Sequence, residues 1–193
     1  VNGKRIAVIK ISKFGDDTEE LLSAAVVDIQ KNNPAGVIVD LRNNPGGYLE
    51  TSVAVASQWL ETGKLVVTEA HSEKDVITYN SDGSNKLGKF KTVVLINGGS
   101  ASASEILAGA LKDNGIAQLI GEKSFGKGSV QELVPFGPNK DMAVKVTIAK
   151  WITPSGKNLN KDGLEPDIKV ELTADDIKNT RDPQLDKALE EVA

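Results

Sequence analysis

The chain contains no cysteine and a single histidine, His71. Disulfides, thiolate metal sites and cysteine nucleophiles are thereby excluded, and so are histidine-rich zinc sites. Aromatic residues make up only 4% of it, so a core must be assembled from Val, Ile, Leu and Ala. No apolar stretch approaches the roughly 18–20 residues of a membrane span. Basic residues are not in excess either: 23 Lys plus Arg against 27 Asp plus Glu give a formal charge of −4. With no Lys/Arg-rich run, a nucleic-acid partner lacks the electrostatic footing it needs. What is there is 193 residues, 39% hydrophobic and 26% charged. That is enough apolar surface for a core, in a length suited to one α/β domain. The first residue is Val1, with no initiator Met and no basic-plus-apolar leader, so a mature form or an excised domain is expected.

Hydrophobic periodicity gives the order of elements. Ile6–Ser12 alternates as a strand. Asp17 or Thr18 then stands where a cap is wanted, ahead of a helix with Leu21, Leu22, Ala25, Val26 and Ile29 on one face. The Glu19–Glu20 pair reads as favourable charge at that helix's N-terminus rather than as acid/base machinery. Gly36–Leu41 (GVIVDL) is a buried strand, Arg42–Gly47 (RNNPGG) a dense turn and Tyr48–Leu60 a helix, which together make one βα unit. Leu65–Thr68 and Asp75–Tyr79 are further strands, and Ser81–Lys91 is an exposed loop. Thr92–Ile96 is a buried strand that turns through Asn97–Ser100 into a helix, Ser102–Lys112. Gln118–Gly121 is a short strand, and Ser129–Ile152 is a hairpin with its Gly-Pro-Asn turn near residue 138. Thr153–Asp167 is turn-rich, and Asp175–Ala193 is charged and weakly helical.

Two segments have the residue types that chemistry needs. In Gly98–Leu107 (GGSASASEIL), Ser102 follows a strand and a glycine turn and opens a helix. Backbone N–H groups point outward there and favour an anion, as a nucleophile with an oxyanion hole requires. Ser102 with Glu105 also spells a capping box, S-x-x-E, and on these residues alone that structural reading prevails. The run is not the G-x-S-x-G elbow, because its fifth residue is Ser102 itself. The only imidazole, His71, sits among polar residues as an exposed structural histidine would, so the remaining candidate for a base is a neutral lysine, as in Ser-Lys variants of the triad.

The second segment, Gly121–Gln131 (GEKSFGKGSVQ), admits three readings. A phosphate loop fails where Gly128 replaces the Mg²⁺-binding hydroxyl and a strand pattern follows in place of a helix. A solvated Lys127 in a glycine turn is the ordinary reading. A catalytic base is the third. An ordinary lysine, with a pKa of ~10.4, is neutral in only about one molecule in a thousand near pH 7.5. Burial disfavours the ammonium, so a base of this kind needs a site that strips water from it.

Four segments in order resemble the carboxyl-terminal processing, or tail-specific, proteases, a family of serine endopeptidases with a Ser-Lys active site. They are Val37–Gly47 (VIVDLRNNPGG), Asn97–Leu111 (NGGSASASEILAGAL), Gly121–Gln131 and Thr153–Asp167, and the tail Asp182–Leu189 (DPQLDKAL) is similar too. The resemblance implies Ser102 as nucleophile, Lys127 as general base and Gln131 as the residue that orients Lys127. It implies oxyanion N–H groups from Ala103 and from the Pro45–Gly47 turn, Gly47 ahead of Gly46. The same two glycines have a bland reading as a turn that needs positive φ.

The implied fold is a crotonase/Clp-protease-like layered α/β core of β-β-α units with an additional β region. Residues 1–193 form one protease core in this reading, with a tail from about residue 168. The implied partner is the C-terminal tail of a polypeptide, held by β-strand addition, with no metal and no organic cofactor. The implied location is extracytoplasmic, and the family's N-terminal anchor and PDZ domain are not found in this sequence. The oligomeric state is not specified. Two rivals remain: a catalytically silent binding module on the same core, as in the interphotoreceptor retinoid-binding proteins, and a nucleotide phosphatase resting on the near phosphate loop.

Overall fold

Strands such as GVIVD and TVVLI carry apolar residues on both faces, so both faces of their sheet must be covered. In a computed structural model, which describes residues 3–136, 142–160 and 162–193, they are. The elements run β1 (Ile6–Lys10), α1 (Thr18–Asn32), β2 (Gly36–Asp40), α2 (Leu49–Ser57), β3 (Leu65–Ala70), β4 (Val76–Asn80) and β5 (Lys91–Ile96). They continue α3 (Ala103–Asp113), β6 (Ala117–Gly121), β7 (Ser129–Phe136), β8 (Met142–Ile152), β9 (Ile168–Lys169), α4 (Ala174–Lys178) and α5 (Pro183–Val192). A parallel sheet has the order β1-β2-β5-β6-β9. Ile9, Val39, Val94 and Leu119 pair across four of its strands, and this row packs under α1, α2 and α3. The intervening side chains Ile38, Val93, Leu95 and Ile120 point the other way and are covered by Ala188 and Val192 of α5.

The additional β region is a second, antiparallel sheet of order β4-β3-β8-β7. It meets the first layer where β3 packs against α3. Its long β7–β8 hairpin is solvent-exposed along most of its length. The turn expected near residue 138 lies outside the described residues.

Three expectations are corrected. Leu21 is not on the buried face of α1 but 64% exposed, and Ala25 is only half-buried. The stripe that packs is Leu22, Val26 and Ile29, spaced i, i+4 and i+7, and Leu21 lies just off it. The helix expected to reach Leu60 stops at Ser57, and Trp59 and Leu60 are buried beyond its end. Residues 81–91 are not an exposed loop, because Leu87 and Phe90 are buried against the core. Their backbone is tied down as well: the N–H of Asn85 donates to Ser57 O and that of Leu87 to Gln58 O. The polar letters of that segment hide two apolar anchors.

Candidate active site

The dense turn after β2 and the glycine turn after β5 are held together in large part through one residue, by both its side chain and its main-chain carbonyl. Asn44 is fully buried; its Nδ2 donates to Ile11 O at 2.7 Å, and its Oδ1 accepts the Gly46 N–H at 2.9 Å. Its carbonyl oxygen accepts the Ala101 N–H and the Ser104 hydroxyl, both at 3.0 Å. Ser100, equally buried, donates its hydroxyl to Leu41 O at 2.8 Å. Reading the sequence missed Asn44, Ser100 and Ser104. The only signal for them was their place inside the two motifs.

These bonds deliver Ser102 to the N-terminus of α3 with φ 56° and ψ −119°. A β-substituted residue at such a φ is strained and persists only where its surroundings over-determine it. This is the sharp strand-to-helix turn that a nucleophilic serine uses, reached without the G-x-S-x-G spacing. Ser102 itself is half-buried. Gly46 (φ 103°) lies directly against it: a Cβ there would stand 2.8 Å from Ser102 Cβ and 3.0 Å from Ala103 N. Gly47 (φ 145°) is pressed on Phe14, whose carbonyl oxygen would be 1.9 Å from an added Cβ.

The three oxyanion-hole candidates, Ala103, Gly46 and Gly47, therefore sit around one turn, and their N–H groups differ in availability. The Gly46 N–H is committed to Asn44. Among the described residues, the N–H groups of Gly47 and Ala103 have no acceptor. Two unspent donors beside a serine at a helix N-terminus make a place for negative charge.

Lys127 reaches this turn through its main chain. Its N–H donates to Glu105 Oε2 at 2.9 Å, and the Ser102 N–H donates to the same oxygen at 2.9 Å. The Lys127 side chain is exposed, and among the described residues its Nζ makes no hydrogen bond and no ion pair. Gln131 lies on β7, exposed, beside a register shift between Val130 and Gln131. The structure thus gathers Ser102, Ala103, Gly46, Gly47 and the Lys127 backbone. It does not join the Lys127 ammonium to Ser102 Oγ, nor Gln131 to Lys127.

The other candidates are placed elsewhere. His71 Nε2 stands 3.0 Å from Glu69 Oε1 on the second sheet, and Glu69 Oε2 accepts the Tyr79 hydroxyl at 2.9 Å. Burial and the Glu69 carboxylate push that phenol up to about 12. Gly121–Lys127 does not lead into a helix but into strand β7, and its loop N–H groups already hold an anion, the Glu105 carboxylate. That removes the geometry a phosphate loop needs. A groove of about 510 Å³ runs along β1 and α1 and is lined by none of these residues.

Comparison with known proteins identifies the family and the fold. The profile of Peptidase family S41 matches residues 5–170. A carboxy-terminal-processing protease of Bartonella bacilliformis is 42% identical over 170 residues, 86% of this chain and 39% of that protein. The carboxy-terminal processing protease CtpB of Bacillus subtilis is 37% identical over 170 residues, 88% of this chain and 35% of that protein. Among solved structures, a photosystem II D1 C-terminal processing protease matches with a TM-score of 0.80 and 35% identity, over 86% of this chain and 42% of that one. The tricorn protease shares the fold, with a TM-score of 0.63 at 22% identity over 96% of this chain and 17% of that one. The chain thus spans about 39% and 35% of the length of the two curated relatives named.

Proposed function

The chain belongs to peptidase family S41, and from that premise we propose that it is the core of a serine endopeptidase that cuts polypeptides near their carboxyl termini, with Ser102 as nucleophile and Lys127 as base. The observation that carries this reading is the Ser102 turn: a serine at φ 56° on a helix N-terminus, beside two N–H groups with no acceptor among the described residues. Such a conformation costs about 1–3 kcal/mol, and strain of this kind clusters at active sites, where it is part of the chemistry.

The mechanism is an acyl transfer in two halves. Neutral Lys127 accepts the Ser102 hydroxyl proton while Oγ bonds to the scissile carbonyl carbon. The carbonyl electron pair moves onto oxygen, where the N–H groups of Ala103 and Gly47 receive it. The tetrahedral species collapses, the C–N bond breaks, and the ammonium of Lys127 returns the proton to the leaving amine. Water then adds to the acyl-Ser102 with Lys127 again as base, releasing the acid and the serine. The long stem of Lys127 gives its Nζ the freedom to swing onto Ser102 when substrate enters. Gln131, on the strand that follows, holds it there. The extracytoplasmic location that the resemblance implies belongs to the same proposal, and a cysteine-free chain is compatible with an oxidising compartment.

Incubation with an unstructured polypeptide ending in an apolar tail, with products read by mass spectrometry, tests the reading. The expected result is cleavage by the parent chain and none by Ser102→Ala. Equal cleavage by both assigns the activity to another nucleophile, and no cleavage by either favours the silent binding module. Lys127→Ala is expected to lower kcat by at least about 10²-fold, the ordinary contribution of a general base. Because the base works only when neutral, the parent's rate should rise with pH. A rate that stays flat from acid to neutral pH removes Lys127 from that role.

A further inference from the structure

Glu105 is fully buried, yet no cation pairs with it among the described residues. Four donors hold its carboxylate instead. Oε2 takes the N–H groups of Ser102 and Lys127, both at 2.9 Å. Oε1 takes the Gly126 N–H at 2.8 Å and the Ser124 hydroxyl. Ser124 Oγ in turn accepts the Leu164 N–H at 2.7 Å, which ties the turn-rich segment 153–167 into the same network. The N-terminus of α3, whose first turn contains Glu105, adds a favourable dipole.

A capping box asks for much less. It needs only the Ser102 N–H, and a glutamine supplies that acceptor as well as a glutamate does. The other three donors all come from the segment that ends at Lys127, and only an acceptor-only group with two oxygens suits four converging donors. A glutamine would turn an NH₂ towards at least one of them. Ser102 and Lys127 are thus held through their main chains on one oxygen atom, so neither residue can shift without the other.

We propose that Glu105 is the positioning residue of this site: its carboxylate locks the strained Ser102 and the root of the Lys127 side chain into one frame, so that nucleophile and base meet in a fixed relation. Its catalytic meaning rests on the Ser102–Lys127 reading above. Glu105 touches no substrate and acts through the two residues it holds.

The test uses the whole chain, with Glu105→Gln, the milder Glu105→Asp in case the first does not fold, and a control, Ile29→Ala, which removes core packing under α1 far from these bonds. With a cleaving parent, the Glu105 variants are expected to lose kcat by about 10²-fold, the cost of misplacing reacting groups by about 1 Å. KM should change little, and the midpoint of the pH–rate profile should move because the base has moved. Ile29→Ala, at an equal or larger loss of Tm, should keep both kcat and the midpoint. Glu105 variants that lose rate only in step with Tm, as the control does, overturn the proposal.

If the parent does not cleave, the functional reading fails separately, and amide hydrogen exchange decides the positioning. In Glu105→Asp the Ser102 and Lys127 amides should exchange faster together, by about tenfold or more, with Val94 in the central strand unchanged. Unchanged exchange at those two amides overturns the proposal.

Discussion

Gly47 shows at the scale of one residue why this turn admits so few substitutions. Its φ of 145° lies where side chains are rarely found, and an added Cβ would sit 1.9 Å from Phe14 O and 2.7 Å from Phe14 C. Both atoms are backbone, so no rotamer change relieves the clash. Phe14 is itself fixed: it is fully buried, its N–H donates to Gly46 O at 2.9 Å, and its carbonyl accepts the Tyr48 N–H at 3.0 Å. Gly47→Ala must therefore push the turn away from Phe14 and carry the Gly47 N–H with it. The expected cost is about 1–3 kcal/mol of stability. Cleavage should fall further than the stability loss accounts for, because the N–H proposed as an oxyanion donor has moved. Thermal melts and initial rates on the same preparation check this, and a variant unchanged in both would mean that the turn is not packed on Phe14 as described.

Between elements, the joint that matters is the clasp of Arg42 on α5. The guanidinium is mostly buried and forks onto Asp40 with two bonds of 2.9 Å. Its Nη1 reaches Asp182, the N-cap of α5, at 2.8 Å and Gln184 Oε1 at 3.1 Å. Burial opposes the charge on Arg42, but Asp40 and Asp182 outweigh it and hold the guanidinium more firmly protonated than usual. Burial likewise opposes the charge on Asp182, yet Arg42 and the Leu185 N–H keep its carboxyl below the ordinary range.

A depressed carboxylate stabilises the fold above its unfolded pKa of ~3.9, and that contribution is lost as pH falls through the lower folded value. Asp182→Asn should therefore cost up to about 1 kcal/mol near neutral pH, a small figure because the side chain is about a third open to water. It should cost less in strong acid, where the parent has lost the same charge. Urea titrations at pH 7 and pH 2.5 measure the difference, and an equal loss at both would remove the ion pair as its cause.

Much of this architecture was legible in the sequence. Continuous Val/Ile runs located β2 and β5, and the two glycine turns located the candidate site, where the structure bonds one turn to the other. The clasp was not legible, because Arg42 and Asp182 are brought together from opposite ends of the chain. Glu105 was legible only as a helix cap, since its spacing from Ser102 is visible in the letters while its burial under the Lys127 segment is not. Residues 81–91 were misread because composition outweighed the two apolar positions, Leu87 and Phe90, that anchor them. The amphipathic tail read as weakly helical is α5, whose helicity comes from packing rather than propensity.

Across the whole molecule, the parallel sheet is the frame that both turns hang from, and its two faces are covered by different parts of the chain. Helices α1, α2 and α3 cover one face, while the other depends on α5, which lies beyond residue 170, where the family match ends. Val192 packs so closely over β2 that a Cβ on Gly36 would stand 2.6 Å from its own. Ile38, Val93, Leu95 and Ile120 are buried beneath this cover. Burying one such side chain is worth about 1.5–3 kcal/mol, so four together approach the whole net stability of a domain, about 5–15 kcal/mol. A chain cut after Val170 is therefore expected to lose its cooperative thermal transition and to bind a hydrophobic dye, although every candidate site residue is still present. Loss of cleavage in that truncated chain would come from the frame and not from the chemistry. The counter-result is plain: a truncated chain that melts as sharply and as high as the parent would show that α5 is an ornament of the fold, and that the Arg42 clasp secures nothing the site requires.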